Sequence, residues 1–177
     1  MEFRKWAEEL SAFQSKPSEK TAVKTIKSDE EAKNLISKIQ KKKEFGFLLD
    51  YPEEEDSLFA GIAVSLGEKE TYYFAGDKIA ALKEFFEDPG IVKVTHDIKE
   101  AYKILSEKNI LIKGKNFDVM LAGYLLSPSQ ASYTVEALSW TYLKVSYSAT
   151  DSVAQKAQAI MGLYVLLKKE LEGKALL

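Results

Sequence analysis

The stretch Val92–Ser129, VKVTHDIKEAYKILSEKNILIKGKNFDVMLAGYLLSPS, decides the fold. Val92–Thr95 is short, apolar and β-branched, as expected of a buried strand. Ile98–Lys108 follows as a helix carrying Ile104 and Leu105. After a short turn, Phe117-Asp118 opens a second apolar helix, which Pro128 brings to an end.

Outward from this stretch the pattern alternates. Met1–Phe13 has Phe3, Trp6, Leu10 and Phe13 at helical spacing and reads as a short amphipathic helix, with a polar linker over Gln14–Lys24. Ala22–Ile26 reads as an edge strand. Ser28 to Glu31 supply a cap and first-turn acids for a helix through Ile39. Glu44–Leu49 has the composition of a strand covered on both faces. Leu58–Leu66 and Glu70–Phe74 flank Gly67-Glu68-Lys69 as a hairpin. Asp77 starts a helix that Pro89-Gly90 stops, and further helices are expected over Val135–Tyr142 and Ser152–Leu171. The sum is a mixed α/β domain over 22–177, preceded by a helix and linker over 1–21.

Bulk properties narrow the class. At 177 residues, 46% hydrophobic and 29% charged, the chain has the size and composition of one ordinary globular domain. It has no cysteine, which excludes disulfides and thiolate metal sites and fits a reducing cytoplasm. No apolar run approaches the ~18 residues of a membrane span, so no membrane partner is expected. The formal net charge of −2 lacks the basic footprint of a free-standing nucleic-acid binder. Lys41-Lys42-Lys43 reads as a solvated helix C-terminus complementing the macrodipole. The run Glu53-Glu54-Glu55-Asp56 reads as solvated loop, and His96, the single histidine, as a structural residue. Tyr133, Trp140, Tyr142 and Tyr147 read as half-buried packing groups rather than base-stacking platforms.

The order and residue types of Val92–Ser129 resemble the 3′–5′ proofreading exonuclease domain of bacterial DNA polymerase I, and the resemblance extends over roughly 22–171. It implies a ribonuclease H-like mixed β-sheet with flanking helices. It also implies a two-metal phosphodiesterase site, in which several carboxylates hold two hard cations about 4 Å apart. In that family the ligands come from Asp-x-Glu on the first core strand, Asn-x3-Asp around the middle helix and Tyr-x3-Asp on the last helix.

Laid on this sequence, the first motif puts Leu48 at the aspartate and Asp50 at the glutamate. The second puts Asp97 at the asparagine and Ala101 at the aspartate. The third puts Ser152 at the tyrosine and Lys156 at the aspartate, although Tyr147 and Asp151 share the same spacing. Asp118 matches an aspartate heading the following helix and suits a cap. The resemblance therefore implies a degenerate domain with no catalytic residues and no metal or other cofactor. It further implies a role in structural support of DNA synthesis, in replication and repair, within a larger DNA-directed DNA polymerase. Met1–Leu10 resembles the connector after that family's 5′-nuclease domain. The expected partners are the polymerase domain of the same parent chain and, weakly or indirectly, DNA. The expected state is a monomer in a bacterial cytoplasm. A corollary expectation pairs Lys156 with Asp50. The alternative is an active exonuclease in which Asp50, Asp97, Asp118 and Asp151 hold Mg2+ or Mn2+. A third possibility is an independent protein-interaction domain.

Overall fold

A computed structural model describes residues 16–17, 23–51, 59–67, 70–147 and 151–176. The amphipathic segment Met1–Phe13 and the acidic run Glu53–Asp56 lie outside them.

Ser28 closes a capping box on α1 (Asp29–Lys42), its hydroxyl accepting from the Glu31 N–H while the Glu31 carboxylate reaches back. The six-stranded sheet then assembles from β2 (Lys24–Thr25), β3 (Glu44–Asp50), β4 (Gly61–Ser65), β5 (Thr71–Ala75), β6 (Val92–Thr95) and β7 (Asn116–Asp118), in the order β2-β5-β4-β3-β6-β7. β3, β4 and β5 form the expected antiparallel meander, whereas β2 joins β5, and β6 and β7 extend β3, in parallel. Between β5 and β6 run a 3₁₀ helix (Gly76–Leu82) and α2 (Lys83–Glu87). α3 (Ile98–Glu107) and α4 (Val119–Leu126) follow β6 and β7. α5 (Val135–Leu138), a π-helical turn (Ser139–Leu143) and β8 (Val145–Ser146) lead to α6 (Val153–Gly173).

Three local expectations change. Phe117 belongs to strand β7, so the helix opens one residue after Asp118; three residues are too few for a period to show. The helix expected from Asp77 is 3₁₀ for its first part. Within the expected linker, Lys16–Pro17 forms β1 and pairs in parallel with β8.

β3 organises the two cores. Phe45 and Phe47 point to one face, where Phe86 meets their rings edge-on at 5.3 and 5.0 Å and α1 and α3 contribute Leu35, Ile39 and Leu105. Gly46 and Leu48 point to the other face, under α6. A Cβ on Gly46 would stand 2.9 Å from Ile160 Cγ2, so the missing side chain is what lets α6 lie against the strand. No helix among the described residues is long and apolar enough to cross a membrane.

Lys93, between the two valines of β6, is wholly buried. Its ammonium donates to the carbonyls of Asp88 (2.5 Å) and Lys113 (2.6 Å), tying the loop before β6 to the segment before β7. Burial pushes its pKa below the ordinary 10.5. The folded state therefore holds this proton less tightly than the unfolded chain, and stability should rise as pH climbs toward 10.5. Urea unfolding at a series of alkaline pH values should show that rise in the wild type and not in Lys93→Met. Parallel profiles would remove the buried-charge reading. Asp118→Ala, which strips four backbone N–H groups of their acceptor, should cost roughly 2–3 kcal/mol in the same assay.

Candidate active-site cleft

The residues aligned with the exonuclease motifs sit at the C-terminal ends of β3 and β6 and on α3 and α6. Leu48 is 9% exposed and packs in the cluster that holds Ala157, Ile160 and Met161 of α6. A hydrocarbon side chain has no electron pair to offer a cation.

Two residues on, Asp50 faces the same side of the sheet. Its Oδ2 accepts a 2.6 Å hydrogen bond from the Tyr73 hydroxyl of β5. Gly61 of β4 pairs with Asp50, and a Cβ there would lie 2.3 Å from the Phe74 carbonyl oxygen and 2.6 Å from the Tyr73 hydroxyl. Only glycine leaves the phenol room to cross β4 and reach Asp50. Burial first, and the Asp50 carboxylate second, push the Tyr73 pKa up to about 12, so the phenol keeps its proton and remains a donor.

Ala101 is buried in the opposite cluster, with Leu105 and Phe47, and reaches no polar group. Asp97 sits at positive φ (58°) as the N-cap of α3, accepting from the Glu100 N–H at 3.1 Å. Asp118 caps α4 through Met120 N–H (2.8 Å) and Leu121 N–H (3.3 Å). The same carboxylate accepts from Ile98 N–H (2.9 Å) and Asp97 N–H (3.3 Å), so it also fixes the start of α3. Both aspartates are thus occupied by helix ends.

The expected Lys156–Asp50 pair is not formed. Lys156 Nζ lies 2.7 Å from Glu136 Oε1 of α5, and these side chains are 19% and 32% exposed. The reason is geometric. Asp50 is held by Tyr73, while α5 packs against α6 and brings a first-turn glutamate to the lysine. Burial opposes ionisation of Glu136, but the hydrogen bond from Lys156 and backbone donation hold its pKa below the ordinary 4.5. Tyr147 and Asp151 both precede α6, whose N-cap is Ser152, so their spacing is not realised on that helix; Lys156 lies in its first turn.

Among the described residues no three acidic or histidine side chains converge closely enough to hold a metal ion. Of the positions that the resemblance aligns with metal-ligating carboxylates, Asp50 alone is acidic, the others being Leu48, Ala101 and Lys156. His96 Nε2 donates to the Tyr133 carbonyl at 2.8 Å, a structural link between β6 and the segment before α5. Tyr133, Tyr142 and Tyr147 pack against the α6-side core, whereas Trp140 is 42% exposed. The partners of the two charges, Tyr73 and Glu136, escaped sequence reasoning. The signals available for them were the Gly61 opposite Asp50 and the Thr134-x-Glu136 helix start.

Comparison with known proteins agrees with the fold. Residues 53–153 match the family described as DNA polymerase I, ribonuclease H-like domain. DNA polymerase I of Mycobacterium tuberculosis is 32% identical over 96 residues, which are 52% of this chain and 11% of that protein. The chain thus spans about a tenth of the length of the curated relatives it matches. A solved complex of Mycobacterium smegmatis Pol1 with DNA primer-template and dNTP superposes with a TM-score of 0.73 at 25% identity, over 86% of this chain and 28% of that one. Escherichia coli RNase D shares the fold, with a TM-score of 0.74 at 13% identity, over 89% of this chain and 47% of that one. So does Brucella melitensis NrnC with bound Mg2+, with a TM-score of 0.69 at 14% identity, covering 87% of this chain and 82% of that one. The chain belongs to the DNA polymerase I ribonuclease H-like domain family.

Proposed function

We propose that this domain keeps the proofreading-exonuclease fold without its chemistry, and serves as a structural module beside the polymerase domain of a larger DNA polymerase I. The observation that carries this reading is the side-chain chemistry at the aligned positions. Leu48 and Ala101 are buried hydrocarbon, and Lys156 is an ammonium where a cation ligand is required. Two hard cations cannot be held by Asp50 alone, and Asp50 is committed to Tyr73. Asp97 and Asp118, two of the four ligands that an alternative active arrangement would need, are engaged by helix N-termini. In this role the domain would contribute to replication and repair in a bacterial cytoplasm without releasing nucleotides itself, and would contain neither Mg2+ nor Mn2+.

The test is direct. Calorimetric titration with MnCl2, and incubation with a 3′-labelled single strand and either cation, should give neither saturable binding nor nucleotide release. Micromolar manganese affinity accompanied by digestion would overturn the proposal and favour the rearranged ligand set.

The same reading makes Lys156 a structural charge. Lys156→Met should cost about 1–2 kcal/mol at neutral pH, discounted for the partial exposure of the pair, because it leaves Glu136 half-buried and unpaired. Glu136 has its folded pKa below 4.5, so its contribution is present above that pH and is lost as pH falls through the folded value. The denaturation midpoints of wild type and Lys156→Met should therefore converge in acid.

A further inference from the structure

A groove of about 570 Å3 runs between the edge strand β2 and α1, lined by Lys24, Lys27, Lys38, Glu31, Asn34 and Tyr72. Residues 23–43 carry seven lysines against three acidic residues, in a chain whose net charge is −2. The basic character is therefore local, and opposite in sign to the rest of the molecule.

The acids within reach are fewer than the lysines and only partly offset them. Glu31 lines the groove and keeps its negative charge, held by the N–H groups of Lys27 (2.8 Å) and Ser28 (3.3 Å) and acting on Lys27 and Lys78. Glu70 is shared: Lys38 binds it at 2.8 Å, and Lys42 and Lys24 also act on its charge. Two further ammonium groups are positioned by neutral acceptors, Lys42 by the Leu66 carbonyl and Lys78 by the Lys27 carbonyl at 2.7 Å. A carbonyl fixes a lysine in place and leaves its whole charge available. Lys24 and Lys27 are exposed and have no ion pair among the described residues.

We propose that this groove is a docking site for the phosphate backbone of double-stranded nucleic acid. The reading does not depend on whether the cleft on the other face is catalytic. A set of point charges on flexible stems, with no exposed aromatic ring among them, suits phosphates rather than bases. Tyr72 is 6% exposed and its hydroxyl accepts from Lys38, so it offers no stacking face. Single-strand binders combine charge with such faces; a duplex presents its phosphates outward and needs none. Binding should be weak, independent of sequence and steeply dependent on salt.

Fluorescence anisotropy of the 177-residue chain with a labelled duplex of roughly 20 base pairs, across a salt series, tests this. Engagement of about three phosphates predicts a slope of about −3 in log K against log salt. Lys24→Glu with Lys27→Glu should weaken binding at least about tenfold at low salt and flatten the slope by about 2. A charge-matched control, Lys103→Glu with Lys169→Glu, should leave both unchanged. Thermal melting of each variant checks folding, and Lys24→Gln with Lys27→Gln should give the same flattening if the reversal variant unfolds. Equal losses in patch and control variants would overturn the proposal in favour of diffuse attraction. Tighter binding of a single strand, or displacement of the duplex by oligoglutamate of equal charge, would also overturn it, the latter pointing to an acidic protein instead.

Discussion

β3 is covered on both faces, and that constraint governs the rest of the structure. Along seven residues its side chains alternate between a phenylalanine core under α1 and a second core under α6. Gly46 fixes how near α6 comes, and Leu48 fills the space directly beneath it. A carboxylate at position 48 would be an ionised group in a dry interface, tolerable only with a cation beside it. On the proposed reading, the absence of cations and hydrocarbon at position 48 go together: with no metal beside it, leucine is the more stable choice there. The charges left in the neighbourhood are satisfied one by one, Asp50 by a phenol and Lys156 by a glutamate from the next helix. The expected single ion pair across the cleft would have required both to abandon nearer partners.

Much of the fold was legible because its signals are local. The cap at Ser28, the hairpin around Gly67 and the stop at Pro89-Gly90 each act within a few residues. What stayed hidden is what depends on neighbours distant in sequence. Phe117 is a strand residue because β6 is there to pair with it; three residues carry no periodicity of their own. Pro17 reads as linker, yet Lys16–Pro17 pairs with β8, more than a hundred residues away in the chain. The residue types at the positions aligned with the motifs could be read from sequence. The partners of the surviving charges could not, since Tyr73 reaches Asp50 only across a strand that happens to place glycine at Gly61.

Net charge illustrates the same limit. A value of −2 argued against nucleic-acid contact, and as an average it is correct. Electrostatic recognition, however, acts over about a Debye length of 8–10 Å, far less than the width of the domain. Within that range an approaching polyanion meets Lys24, Lys27 and the ammonium groups of Lys42 and Lys78, with Glu31 and Glu70 as the acids beside them. The sheet acts as a partition. One side carries the cleft, where Lys156 pairs with Glu136 and Asp50 is held by a neutral phenol; the other carries lysines held by carbonyls, which position an ammonium without discharging it. A proofreading site must draw a single strand toward its metals, so its positive field is useful only near the carboxylates. On the proposed reading the domain is relieved of that task, and a basic surface can persist wherever it steadies a duplex. The physical separation of the two faces would then let the fold give up one chemistry and still engage the polymer through the other.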